Sequence, residues 1–310
     1  MKIFITGASG FVGSFVFKKL VQDTSHEVAI LLRNPQAAWR IADLINEVIV
    51  IKGDLSNPRS YSQELVDFCP DIVLHLAWGG VGNSNRNSLN QWKNVSDLMC
   101  LIETLTPLNI SAFIGLGSQA EYGPINKKID ETYPENPTTL YGVAKLAALK
   151  LAEAQLKEMD IRFAWLRLFS SYGPSDEPTW LLQYLINQFL QNISPQVTKG
   201  EQLWDYIYIE DVADAVLAMV NCEQAKGVFN LGSGQAHSLK HIIEKTRDLI
   251  NPNIEIQFGA IPYRPDQVMH LEADIGLLKN VVGWEPKFSL EEGLIKTVNW
   301  AKNTYEKGNN

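Results

Sequence analysis

The sequence predicts an α/β protein with a doubly wound parallel sheet and a smaller mixed α/β region towards the C-terminus. Six short apolar runs, each of buried-strand length, are separated by segments long enough for a helix. Strands that alternate with helices form parallel sheets, because each crossover helix packs on a face of the sheet. The predicted strands are residues 3–5, 28–32, 48–51, 72–76, 112–116 and 163–168.

The regular alternation of predicted strands and helices ends after residue 169, where a stretch rich in Gly, Pro, Ser and Asp precedes shorter and more mixed elements. We expect residues 1–169 to form the sheet domain. Residues 205–234 again have a strand, helix and strand pattern, and we expect them to return to that domain. Residues 170–204 and 235–310 would then form the second, smaller domain.

Composition and charge exclude several classes of protein. The 310 residues carry a formal net charge of -8, with no long Lys or Arg run, so nucleic acid is not an expected partner. No apolar stretch approaches the roughly 20 residues of a membrane helix, and no signal peptide is evident, so we expect a cytoplasmic protein without a membrane partner. Cys69, Cys100 and Cys222 lack Cys-x-x-Cys spacing, and His237 with His241 lacks a third ligand, so no metal site is expected.

A glycine-rich loop joins the first predicted strand to the first predicted helix. Gly7, Gly10 and Gly13 are spaced three apart, where missing side chains let the backbone turn tightly and approach a pyrophosphate at the helix N-terminus. The spacing is Gly-x-x-Gly-x-x-Gly, whereas the usual dinucleotide fingerprint is Gly-x-Gly-x-x-Gly. The loop predicts a Rossmann-type cofactor site, and a glycine turn of an ordinary α/β protein is the alternative.

Three further residues form a candidate catalytic group. Tyr141 and Lys145 lie four apart behind two threonines that could cap a helix, so both side chains project from one helix face. An ammonium beside a phenol favours the phenolate, so Lys145 should lower the pKa of Tyr141 and improve it as a proton donor or acceptor. Ser118 follows the strand predicted at 112–116, and ligands of open parallel sheets bind at the carboxyl ends of strands.

Together these motifs resemble the extended short-chain dehydrogenases/reductases, the NAD-dependent epimerase/dehydratase family that acts on nucleotide sugars. The resemblance covers nearly the whole chain. It rests on the segments TGASGFVG (6–13), GDL (53–55), HLA (75–77), GSQAEYG (117–123), YGVAK (141–145), RLFSSYGP (167–174) and NLGSG (230–234).

The resemblance implies roles for the catalytic and cofactor residues. Ser118 would hydrogen-bond a sugar carbonyl or hydroxyl, Tyr141 would transfer the proton, and Lys145 would bind the nicotinamide ribose and tune Tyr141. The other implied cofactor residues are Gly7, Ser9, Gly10, Phe11, Val12, Gly13, Asp54, Leu55, Leu76, Ala77, Trp78 and Leu168.

The choice of cofactor depends on Arg33. The residue that reads the adenosine ribose should lie about 20 positions beyond the glycine loop, and Arg33 occupies that place. A cation suits a 2′-phosphate, so NADP(H) is favoured and NAD(H) is the alternative. An ordinary surface arginine is the competing interpretation of Arg33.

The resemblance also implies substrate contacts for Ser118, Gln119, Ser170, Trp204 and Arg264. Trp204 stands where the family usually has a diphosphate-binding arginine, and Ser170 stands where it often has an asparagine. Arg264 would then carry more of the phosphate charge. A core tryptophan is the alternative for Trp204.

The resemblance leaves three reactions open to the predicted enzyme. Dehydration is disfavoured, because Gln119 and Ala120 stand where such enzymes usually carry Asp-Glu, although Glu121 is close in sequence. Arg33 favours an NADPH-dependent reductase of the C4 keto group of a nucleotide-linked 4-keto-6-deoxyhexose. An NAD-dependent 4-epimerase is the alternative, and a non-catalytic dinucleotide-sensing module is the alternative from another class.

Two regions outside this site also carry predictions. The Gly/Asn/Ser-rich segment 79–90 is either a mobile loop near a ligand or an ordinary surface loop. The helices predicted at 91–105 and 144–157 have apolar faces that in this family often form a dimer interface, so we expect a homodimer. Burial of those faces within one chain is the alternative.

Overall fold

Strands and helices alternate along most of the chain, whose computed structural model describes residues 1–264 and 267–308. The strands of the described residues are β1 Lys2–Thr6, β2 Glu27–Leu32, β3 Ile49–Lys52, β4 Ile72–His75, β5 Ala112–Ser118, β6 Asn126–Ile129, β7 Arg162–Leu168, β8 Ser170–Tyr172, β9 Gln196–Val197, β10 Leu203–Tyr208, β11 Gly227–Leu231, β12 Ala236–Ser238, β13 Gln257–Phe258 and β14 His270–Ala273. The helices are α1 Phe11–Gln22, α2 Ser62–Phe68, α3 Gln91–Leu105, α4 Leu140–Glu158, α5 Leu181–Leu190, α6 Ile209–Val220, α7 Leu239–Asp248, α8 Gly276–Val282 and α9 Leu290–Gly308.

Seven strands form the main sheet, in the order β11-β7-β5-β4-β1-β2-β3, and every neighbouring pair is parallel. All six strands predicted from the sequence lie in this sheet. The order reverses between β1 and β4, and in open parallel sheets the crevice at such a reversal binds the ligand. The predicted doubly wound α/β class is therefore confirmed.

Helices cover both faces of the main sheet, because its buried strands are apolar on both sides. Along β1, Ile3 and Ile5 point into the core beneath α1 and α6, whereas Phe4 points into the core beneath α3 and α4. All three side chains are fully buried. The sheet therefore lies between two helical layers, and the carboxyl ends of its strands are where a ligand of such a sheet binds.

A second sheet lies towards the C-terminus, with the order β12-β10-β14-β6 and with β8 paired to β10. The segment 205–234 divides between the two sheets: β10 joins the second sheet, whereas α6 packs on α1 and β11 pairs with β7 in the main sheet. Strand β6 comes from the region 1–169 and still pairs with β14. The domain boundaries stay a prediction. Within the described residues, no helix is long and apolar enough to cross a membrane.

Candidate active site

The glycine loop between β1 and α1 is packed too closely for side chains. A Cβ on Gly7 would lie 2.5 Å from the backbone nitrogen of Ala77, and a Cβ on Gly13 would overlap the Gly7 carbonyl oxygen. Gly7 also has a left-handed backbone, with φ of +82°. Gly10 is the N-cap residue of α1, and within the described chain no side chain caps that helix start. Its free N–H groups and the bare backbone fit a pyrophosphate.

The other implied cofactor residues line the same edge of the sheet. Leu76, Ala77 and Trp78 follow β4 directly, and the Leu76 N–H donates to the Thr6 carbonyl oxygen at 3.1 Å. The half-buried Ser9, Phe11 and Val12 belong to the loop and the first turn of α1, and Leu168 ends β7.

Two implied adenosine contacts lie at the ends of the neighbouring strands. Arg33 follows β2 and its side chain is exposed. Asp54 and Leu55 follow β3, where the Asp54 carboxylate accepts from the Ser56 N–H at 3.0 Å. The predicted cofactor residues thus follow one line of strand ends, from β7 through β4 and β1 to β2 and β3.

His75 holds two of these strand ends together. Its Nδ1 lies 2.9 Å from Thr6 Oγ1, across the boundary between β4 and β1. Burial, with a smaller contribution from the nearby Lys145, lowers the pKa of His75 to about 3, so the imidazole is neutral at physiological pH. His75 therefore acts in the structure as a hydrogen-bonding residue that fixes the floor of the crevice.

The three predicted catalytic residues come together beside this crevice. Thr139 caps α4 by accepting from the Gly142 N–H at 3.1 Å, which places Tyr141 and Lys145 in the first two turns. Ser118 is the last residue of β5, and its hydroxyl is close enough to the Tyr141 phenol to lower the pKa of that phenol. Lys145 Nζ donates to the Leu116 carbonyl oxygen at 2.6 Å. All three side chains are buried.

The pKa of Tyr141 differs from the expectation. Burial raises it, while the Ser118 hydroxyl and the Arg86 guanidinium partly offset that rise. The Lys145 ammonium donates to the Leu116 carbonyl oxygen and lies 3.9 Å from the centre of the Trp78 ring. Burial also lowers the pKa of Lys145 to about 7, so this lysine loses its proton in the physiological range.

Glu121 is fully buried beneath Ser118, and both of its carboxylate oxygens accept hydrogen bonds from neighbouring residues. Its Oε1 accepts from the Ser118 N–H at 2.8 Å and from Trp165 Nε1 at 3.0 Å, and its Oε2 accepts from Arg167 Nε at 2.7 Å. Arg167 is buried as well and also pairs with Glu135. Glu121 is therefore a support for Ser118, and its carboxylate is not available as the extra acid or base that dehydration needs.

The predicted substrate residues are brought together only in part. Trp204 Nε1 donates to Ser170 Oγ at 2.7 Å, joining β10 to β8, and the ring packs partly buried on a small core cluster. Gln119 follows Ser118 directly, and its side chain is half-buried. Arg264 is exposed on the segment between β13 and β14. Within the described residues, no group of three or more His, Cys, Asp or Glu side chains could hold a metal ion.

Sequence reasoning missed Arg86. The segment 79–90 gave only a loop-like composition as a signal, yet the Arg86 guanidinium carbon lies 5.2 Å from the centre of the Tyr141 ring. The contact joins residues 55 positions apart, and no local pattern indicates it.

Known proteins of similar length match nearly the whole chain. A putative UDP-glucose 4-epimerase of Methanocaldococcus jannaschii is 28% identical over 320 residues, which span 97% of this chain and 98% of the relative. The CDP-abequose synthase of Salmonella muenchen is 26% identical over 304 residues, which span 95% of this chain and 96% of the relative. The crystal structure of UDP-glucose 4-epimerase from Thermotoga maritima, with UDP-glucose, has a TM-score of 0.87 at 26% identity and covers 98% of this chain and 100% of its own.

A family model gives the assignment. The model described as the NAD dependent epimerase/dehydratase family matches residues 3–232, well over half of the 310 residues. The matched range includes the glycine loop, Ser118, Tyr141 and Lys145, so the resemblance inferred from the motifs is confirmed. The chain belongs to the NAD dependent epimerase/dehydratase family of extended short-chain dehydrogenases/reductases.

Proposed function

We propose that the protein oxidises and reduces C4 of a nucleotide-linked sugar and that its net reaction is 4-epimerisation. The observation that carries this proposal is the convergence of Ser118, Tyr141 and Lys145 at the strand edge beside the glycine loop. Curated relatives that match the chain almost end to end include several UDP-glucose 4-epimerases, which supports epimerisation over the 4-ketoreductase that the sequence alone favoured.

A nicotinamide dinucleotide fits the site, because a Cβ on Gly7 or Gly13 would fill the cradle and the start of α1 is uncapped. The glycine loop would hold the pyrophosphate, and Arg33 and Asp54 would face the adenosine end. When bound, the nicotinamide supplies the acceptor and donor for hydride.

The chain's own residues then transfer the proton and orient the sugar. Tyr141 accepts the proton of the C4 hydroxyl as the sugar is oxidised and returns it as the ketone is reduced. Ser118 hydrogen-bonds the same oxygen and keeps it within reach of the phenol. Lys145 holds the nicotinamide ribose. The buried Ser118 backbone, anchored by Glu121, keeps this geometry fixed.

A second function is favoured by Arg33. The sequence Leu31-Leu32-Arg33-Asn34 places a cation, and no carboxylate, directly after β2, which suits NADP(H). A reductase of a 4-keto-6-deoxyhexose would use NADPH once and release the oxidised cofactor. The similarity to CDP-abequose synthase is consistent with that chemistry.

One assay separates the two functions. The purified full chain is incubated with UDP-glucose and with dTDP-, CDP- and GDP-linked 4-keto-6-deoxyhexoses, and the products are resolved by NMR while NADPH absorbance is followed. We expect conversion of a UDP-hexose to its C4 epimer without net cofactor consumption. NADPH oxidation with a 4-keto sugar and no epimer would establish the reductase instead.

Tyr141→Phe separates an enzyme from a sensor. The variant should lose turnover and retain its bound cofactor, because the phenol transfers the proton but the glycine loop holds the dinucleotide. A protein that binds cofactor and turns over none of these sugars, with or without Tyr141, would refute the proposed function.

A further inference from the structure

We infer that Arg86 is a positioning residue for the reaction: the loop 79–90 docks on the start of α4 and holds the Arg86 guanidinium against the Tyr141 ring, where its permanent positive charge stabilises the phenolate. The inference rests on the proposed role of Tyr141 in proton transfer. It assigns a function to a segment that the sequence showed only as Gly/Asn/Ser-rich.

The loop 79–90 is anchored to α3 by hydrogen bonds from two side chains of that helix. Gln91, at the start of α3, donates through Nε2 to the carbonyl oxygens of Gly80 at 2.7 Å and Asn85 at 3.0 Å. Its Oε1 accepts from Trp78 Nε1 at 3.0 Å, and its side chain is 3% exposed. Asn94, one turn later, exchanges hydrogen bonds with both backbone groups of Gly79. The loop is thus fixed to α3 at its start and at its middle.

The same loop supplies hydrogen-bond acceptors to the start of α4. The first N–H groups of a helix have no partner within the helix. Here the Tyr141 N–H donates to the Arg86 carbonyl oxygen at 2.8 Å, and the Leu140 N–H donates to Asn87 Oδ1 at 3.1 Å. The helix that carries Tyr141 therefore begins on the loop that carries Arg86, and this fixes the two side chains relative to each other.

The guanidinium lies over the phenol ring. Its Cζ is 5.2 Å from the centre of the Tyr141 ring, within the range of a cation–π contact. Arg86 is half-buried, and its Nε is buried without a hydrogen-bond partner among the described residues. A half-buried arginine so placed acts on the phenol through its charge, since arginine stays protonated at every physiological pH.

The charged groups around Tyr141 come from four elements. Arg86 on the loop lowers the pKa of the phenol, and Glu121 after β5 raises it. The buried Arg167 on β7 pairs with Glu121. Lys145 on α4 is held on the Leu116 carbonyl and has a pKa of about 7. Arg86 is therefore the cation in this set that faces the phenol and keeps its charge above neutral pH.

A fixed cation beside the phenol helps both directions of the proposed reaction. When Tyr141 takes the C4 hydroxyl proton, Arg86 favours the phenolate needed beforehand. When Tyr141 gives its proton to a C4 ketone, Arg86 stabilises the phenolate left behind. The guanidinium carbon lies 5.2 Å from the centre of the ring, and its charge lowers the Tyr141 pKa against the rise that burial causes.

The test measures the phenol directly. The cofactor-loaded full chain is labelled with tyrosine carrying carbon-13 at Cζ, the Tyr141 signal is assigned by its loss in Tyr141→Phe, and the signal is titrated against pH. Arg86→Gln should raise the Tyr141 pKa by roughly 1 unit, and Arg86→Lys, which keeps the positive charge, should bring the pKa most of the way back to the wild-type value. Asn87→Ala is the matched control, because it removes a cap of α4 from the same loop without changing charge.

Turnover gives the second readout. In Arg86→Gln the limb of the pH profile of kcat that reports Tyr141 should move to higher pH by the same amount as the Tyr141 pKa. At the wild-type pH optimum, kcat should fall about tenfold and KM should be nearly unchanged. An unchanged Tyr141 pKa, or a rise in KM with no pH shift, would overturn the inference. Should Arg86→Gln fail to fold, Arg86→Met keeps the aliphatic stem and takes its place. The carbon-13 titration needs no substrate, so it stands whether or not the proposed function does.

Discussion

Replacing Glu121 by glutamine tests whether the buried ion pair beneath Ser118 supports the site. The amide oxygen can still accept from the Ser118 and Trp165 N–H groups, but the amide NH₂ would then face Arg167 Nε, donor against donor. Glu121 is 0% exposed and Arg167 1%, so solvent does not screen the loss. Breaking a buried pair typically costs about 3–5 kcal/mol, and because Arg167 keeps Glu135 we expect the lower end, about 3 kcal/mol.

Urea unfolding followed by circular dichroism measures this change. We expect a lower midpoint at an unchanged urea slope, which reports lost stability without a change in the surface exposed on unfolding. The matched control is Glu285→Gln, whose ion pair with Lys279 is 62% and 59% exposed and should contribute at most about 0.5 kcal/mol. A loss below about 1 kcal/mol in Glu121→Gln, or an equal loss in the control, would refute the reasoning.

Four further changes follow from the structure. Arg33→Ala should weaken NADPH binding far more than NADH binding in a fluorescence titration, and equal losses would remove the argument for NADP(H). Gly13→Ala should abolish cofactor retention, because the methyl overlaps a backbone oxygen, whereas Gly82→Ala, with open space around its Cβ, should bind normally. Lys145→Met should raise the free energy of unfolding of the cofactor-free protein, measured by urea unfolding. Burial lowers the pKa of Lys145 in the folded protein to about 7, so between pH 7 and the ordinary lysine pKa the unfolded chain binds more protons than the folded one. The gain in stability of the variant over the wild type should therefore be greatest below pH 7 and shrink as the pH rises. Leu151→Glu, at a side chain 47% exposed on α4, should turn the expected homodimer into a monomer in sedimentation, and an unchanged mass would place the interface elsewhere.

The strands and helices of the main sheet were predictable because their signals are local. The apolar runs at β1, β2, β4, β5 and β7 are long enough to be recognised, and the predicted helix 91–105 coincides with α3. Strand β6 was missed, because Asn126–Ile129 has the sequence NKKI and only Ile129 is buried. Its strand character comes from pairing with β14, far along the chain, and not from its own residues.

The candidate site also has one part that local sequence predicts and another part that it does not. Tyr141 and Lys145 share a helix face, so their spacing in the sequence already places them together. The contacts around them are non-local: Arg86 reaches Tyr141 from another element, and Lys145 meets Trp78 from the segment after β4. The sequence therefore predicted which candidate catalytic groups would lie together, whereas their pKa values depend on burial and on partners that only the folded chain brings near.

The junction between the loop 79–90 and α4 also makes one backbone proton a natural probe. An amide in the first turn of a helix usually exchanges rapidly with water, since no carbonyl precedes it in the helix. The Tyr141 amide instead donates to the Arg86 carbonyl oxygen. Its rate of hydrogen exchange therefore measures the free energy needed to lift the loop from the helix, residue-specifically and without substrate or label at the phenol.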